Sequence, residues 1–72
     1  MVGGDPMTLE IISKLTQEEY TLCLFVKDRF GTYAALELGM ILIGEIDQFI
    51  QTPPSIAKAI CHEAQNRHIE IG

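Results

Sequence analysis

The stretch Thr16-Gln17-Glu18-Glu19 is a capping box: a threonine followed three residues later by a glutamate, each placed to satisfy the other's free backbone N–H at a helix start. It decides how the next residues are read. Residues 21–26, TLCLFV, are apolar enough to pass for a buried strand. A helix opening at Gln17 instead puts Leu22, Phe25, Val26 and Arg29 at three- and four-residue spacing. It then meets Gly31, a residue suited to the turn that ends helices. The expectation is a helix over residues 17–30 and, with it, a mainly α fold.

The rest of the chain extends that pattern. Residues 1–6 read as a flexible leader, with Met7 as an alternative start, and residues 7–72 as a single small helical domain. Pro6 suits a first helical turn, with Asp5 or Thr8 as its cap. A helix over 7–14 through Leu9, Ile12 and Leu15 is expected, with a strand over TLEII as competitor. Beyond Gly31, Thr32 is the candidate cap of a helix over 32–51 with Ile43, Ile46 and Ile50 on one face. The pattern leaves open whether this is one helix or two broken at Gly39, because a glycine inside a helix costs only about 1 kcal/mol relative to alanine. Pro53-Pro54 stop the chain and restart it, with Thr52 as a cap. Ile56, Ala59, Ile60 and Ala64 then form one stripe of a helix over 54–65, ended at Asn66. His68–Gly72 alternates polar and apolar, which predicts a short C-terminal strand with Ile69 and Ile71 on one side. The spacing assigns the core to Leu22, Phe25, Val26, Leu38, Ile46, Phe49, Ile56 and Ile60.

Composition narrows the function. A chain of 72 residues buries only about 60% of its unfolded surface, yet 47% of this one is hydrophobic. That surplus implies a dense core, a homodimer interface or a partner groove. A homodimer is expected, with two His68–Ile71 strands pairing across a two-fold axis. The most apolar window, Ala34–Ile50, contains Glu37, Glu45 and Asp47, so a membrane span is not expected. The N-terminus lacks a basic patch followed by an apolar run, and cytoplasmic residence is the expectation. Cys23 and Cys61 fit reduced core thiols in that compartment. Cys61 and His62 are helix neighbours that point about 100° apart, and neither cysteine belongs to a close ligand pair, so no metal is expected. With no nucleophile elbow and no glycine-rich phosphate loop, neither an enzyme, a cofactor nor a small-molecule substrate is expected. Tyr20 and Tyr33 read as half-buried amphipathic rings.

Phe30-Gly31, Ala35, Leu38-Gly39, and Ile46 with Phe49 or Ile50 resemble the helix-turn-helix of Cro-like phage repressors, and the proline-led ending with its strand resembles the close of several members. The resemblance covers residues 22–72. It implies a dimeric, DNA-binding transcriptional regulator reading operator DNA through Arg29, Thr32, Tyr33, Gln48, Gln51 and Lys58. Charge and side-chain chemistry pull the other way. The net charge is −5, and the five cations (Lys14, Lys27, Arg29, Lys58 and Arg67) are scattered. The start of the recognition helix would be Met40, Ile41, Leu42 and Ile43, which offer bases no hydrogen bonds. The alternative is an acidic helical protein-interaction module, whether inhibitor, antirepressor or dimerisation domain. It would contact its partner through Met40, Ile41, Leu42, Ile43, Ile69 and Ile71.

Overall fold

The computed structural model describes residues 6–71, with side chains from Glu10 onward; the expectations placed on residues 1–5 and on the Thr8 and Leu9 side chains lie outside it. Four helices follow in order: α1 (Pro6–Lys14), α2 (Gln17–Phe30), α3 (Thr32–Leu42) and α4 (Pro54–Asn66).

Helix α2 begins as its sequence dictates. Thr16 Oγ1 accepts the Glu19 N–H at 3.1 Å, and Glu19 Oε1 accepts the Thr16 N–H at 2.9 Å. Its end is shared with α3. Gly31 sits at φ 112°, a value open to glycine, and its N–H reaches the carbonyls of Val26 and Lys27. The Gly31 carbonyl in turn accepts the Ala35 N–H at 3.3 Å, so one residue closes α2 and opens α3. Thr32 lies inside the first turn of α3 and is not its cap.

Helix α3 departs from the sequence expectation. It runs through Gly39 without a break and stops at Leu42, so the helix expected to reach residue 51 is corrected to 32–42. Two glycines explain this. Gly39 is buried, and a Cβ there would lie 2.8 Å from Ile11 Cγ2, so its missing side chain serves the close crossing of α1 over α3, not a turn. Gly44, at φ 85°, is the true terminator. Its N–H bonds the Ile41 carbonyl at 3.1 Å and the Glu45 N–H bonds the Met40 carbonyl at 2.8 Å, the paired bonds of a Schellman motif. With those carbonyls satisfied, residues 43–53 cross irregularly to α4.

Helix α4 begins at Pro54 with no side-chain cap, and Thr52 bonds elsewhere. It ends in a second Schellman motif, centred on His68 and not on Asn66. His68 is at φ 60°; its N–H bonds the Gln65 carbonyl at 3.0 Å, and the Ile69 N–H bonds the Ala64 carbonyl at 2.8 Å. That turn sends the chain back over its own core. Ile69 and Ile71 both pack on it, and no strand forms among the described residues. The C-terminal strand expected from alternation is thus corrected, and the two-fold strand pairing loses its basis.

The core comes from three helices, each giving residues four apart: Leu22 and Val26 of α2, Ala34 and Leu38 of α3, Ile60 and Ala64 of α4. Ile11 and Ile41 are buried as well. Phe25, Phe49 and Ile56 pack around the cluster half-buried. Ile46, expected in the core, is half-buried outside that cluster, and Ile50 is 70% exposed. Their helical stripe does not exist once α3 has ended. No helix among the described residues is long and apolar enough to cross a membrane.

Candidate functional site

Two concave surfaces flank α3. The first is an apolar groove of about 200 Å³ between α1, α2 and α3, floored by Ile11, Ala35 and Gly39 and walled by Leu15, Cys23 and Leu36. Ile12 and Leu24 also line it and are 38% and 47% exposed. Lys27 is the one charged side chain among its lining residues. The Cys23 thiol is pushed up to about 11, first by burial and then by the negative charge of Glu19, so it stays protonated and behaves as part of the apolar wall.

The second surface lies between α3, the end of the 43–53 segment and the start of α4, and is organised by Glu37. Its carboxylate Oε2 accepts the N–H groups of Ile50 (3.2 Å) and Gln51 (2.9 Å), and Oε1 accepts the Thr52 N–H (2.9 Å) and the Thr52 hydroxyl (2.6 Å). Partial burial pushes this carboxyl upward. The bonds from the Thr52 hydroxyl and from the three N–H groups outweigh that and hold it below its ordinary 4.5. Beside the clamp, Phe30, Tyr33, Met40 and Ile56 line a groove of about 420 Å³.

Of the residues singled out for DNA contact, Tyr33 and Gln51 line one groove together, and the six come from three parts of the fold. Arg29, Thr32 and Tyr33 are exposed around the Gly31 corner, Tyr33 at 81%; Gln48 and Gln51 are exposed on the irregular segment; Lys58 is exposed on α4. No helix presents Gln48 and Gln51 together, since the recognition helix expected over residues 40–51 is not formed. Arg67 is engaged within the fold: its Nε donates to Glu63 Oε2 at 2.9 Å and its guanidinium lies 5.1 Å from the Phe25 ring centre. The residues singled out as a protein contact are mostly spent inside the molecule. Ile41 is buried, Leu42, Ile69 and Ile71 pack on the core, and Met40 and Ile43 are half-covered.

Cys23 and Cys61 are free thiols, both half-buried and not fully internal. Among the described residues, no three His, Cys, Asp or Glu side chains gather as a metal site would need. Sequence reasoning noted Glu37 only as a charge within an apolar window. Its partners lie 13 to 15 residues away in a segment read as helix, so no local signal marks the clamp. The groove was missed for a related reason: it forms where three helices meet, and the spacing of any one of them does not show it. Comparison of the chain with known protein families, with curated proteins and with solved structures finds no match.

Proposed function

We propose that this chain is a small acidic helical interaction module of regulatory type that binds a protein partner through the α1–α2–α3 groove. One observation carries the reading: Ile12 and Leu24, both exposed, stand together on one apolar groove. At about 200 Å³ the groove is smaller than the ~300–1,000 Å³ typical of small-molecule sites. It suits the apolar stripe of an amphipathic helix, whose anchors recur every three or four residues. The net charge of −5 favours a partner helix with basic flanks.

The Cro-like, DNA-reading alternative has less support. Its six candidate contacts are spread over the corner at Gly31, the irregular segment and α4, and only two of them, Arg29 and Lys58, are cations. Of the other cations, Lys14 sits near Glu10 and Arg67 is bonded to Glu63, which offsets their charge toward phosphate.

The test pairs two assays. Wild type and Leu24→Glu are used as baits in the native host extract, and the chain is run with random duplex DNA at low salt. The expected result is a stoichiometric partner that Leu24→Glu binds at least about tenfold more weakly while keeping its far-UV spectrum, as befits a central apolar contact. Sedimentation of the chain alone tells whether that partner is a second copy. A salt-sensitive DNA shift abolished by Lys58→Glu, with no partner lost on Leu24→Glu, would overturn the proposal.

A further inference from the structure

Residues 43–51 carry the spacing of a helix that the chain does not form. Ile43, Ile46 and Ile50 recur three and four residues apart, yet the backbone there is irregular. That irregular path has few bonds of its own. The N–H groups of Asp47, Gln48 and Phe49 meet no acceptor among the described residues, and those of Ile50, Gln51 and Thr52 meet the Glu37 carboxylate. A continued helix would give each of these N–H groups a backbone carbonyl four residues back. It would also bring Ile50, now 70% exposed, onto one face with Ile43 and Ile46. Two restraints stand against it: the Gly44 turn at φ 85° and the Glu37 bonds. Both are local, since a glycine is tolerated inside a helix and the clamp is a single side chain.

Extension has a geometric consequence. Fifteen residues of unbroken helix place Thr52 about 22 Å from Glu37, where the two now touch at 2.9 Å. The whole molecule measures 35 × 23 × 22 Å, so α4 is carried off α2, and Ile60 and Ala64 lose their cluster. A second copy of this chain offers the same cluster: Leu22, Val26, Ala34 and Leu38. We infer that the chain has a second folded form, a dimer in which α3 runs on through residues 43–51 and each α4 packs on its partner's α2 and α3, and that Glu37 and Gly44 hold the chain in the monomeric form. The interface between copies is then the one α4 makes here within one chain, with the Ile43, Ile46 and Ile50 faces added. In the monomer the 43–53 segment holds α4 beside its own core at an effective concentration in the millimolar range. A second copy therefore competes only near that concentration, or once the two restraints are gone. The exchange leaves the α1–α2–α3 groove intact, and Leu24→Glu, which alters that groove, leaves the exchange intact.

The experiment releases both restraints in the full chain. A Cβ at residue 44 meets nothing within 4 Å, so Gly44→Ala acts through the backbone angle alone, and Glu37→Ala removes the clamp. The chain carrying both changes should sediment as a dimer at concentrations well below millimolar, with helical Cα chemical shifts through residues 43–51. Wild type under the same conditions should be a monomer with irregular shifts there. The exchange itself is read in a mixed sample: isotope-labelled and unlabelled chains are unfolded together and refolded, and NOEs are sought between the Leu22 or Val26 methyls of one copy and the Ile60 methyls of the other. Wild type refolded at several millimolar should show the same NOEs in a minor dimer that reverts on dilution. A folded double variant that stays monomeric would overturn the inference, and so would a dimer without those interchain NOEs, which is a pair of intact copies. Should the double variant not fold, wild type decides: refolding at several millimolar that yields monomer alone would overturn it equally.

Discussion

His68 carries a backbone conformation that sequence statistics would give to glycine. Its φ of 60° places it in the left-handed region, where a residue with a Cβ costs about 1–2 kcal/mol. It is tolerated because two bonds, from its own N–H and from that of Ile69, close the end of α4, and because the turn lays Ile69 and Ile71 on the core. The imidazole itself is exposed. His68→Gly should therefore stabilise the fold by up to about 1 kcal/mol, less whatever glycine's extra freedom returns to the unfolded chain. A higher urea midpoint at unchanged slope is the expected readout; a lower midpoint would mean that the ring contributes more than its exposure suggests. Gly39 makes the opposite point. It lies in an ordinary helical stretch, and what requires it is Ile11 of another helix.

The 43–53 segment is held at its two ends by different chemistry. At its start the Schellman bonds of Gly44 and Glu45 are backbone only, and at its end the attachment is the Glu37 carboxylate. Only the second should respond to acid. Glu37 has its pKa lowered in the folded chain, so it contributes stability above its ordinary 4.5, and that contribution is lost as pH falls through the lower folded value. Protection of the Ile50, Gln51 and Thr52 amides, taken against intrinsic exchange at each pH, should fall in that acidic window, ahead of protection at Gly44 and Glu45. Glu37→Gln should show fast exchange at all three already at neutral pH. Equal acid sensitivity at both ends of the segment would contradict this account.

The whole molecule rests on one cluster drawn from α2, α3 and α4. Leu22, Leu38 and Ile60 have no exposed surface, whereas Ile46 stands outside the cluster. Leu38→Ala should cost about 2–5 kcal/mol, and Ile46→Ala distinctly less. For a domain this small the larger loss is a sizeable share of its total stability. Urea midpoints shifted equally by the two changes would show that the irregular segment is part of the core after all. Helix α1 meets α3 at the crossing of Ile11 and Gly39, and the groove between α1, α2 and α3 is left half-open.

The sequence by itself determined the mainly helical class, the bounds of α2, the restart at Pro54 and the residues Leu22, Val26, Leu38 and Ile60 of the core. These follow from interactions within one turn of helix: the Thr16–Glu19 exchange, the positive φ at Gly31, a proline ring, and apolar residues four apart. Tertiary structure decided the remainder. Continuous helical spacing over residues 32–51 says nothing of Glu37 reaching 13 to 15 residues ahead to hold the backbone in another shape. Alternation over 68–71 looks alike whether the chain pairs with a second copy or folds back on itself, and the turn at His68 selected the latter. The same limit applies to the candidate sites. Buried Leu22 and exposed Leu24 point about 200° apart on α2, and the packing of the other helices decided which of those two faces is covered.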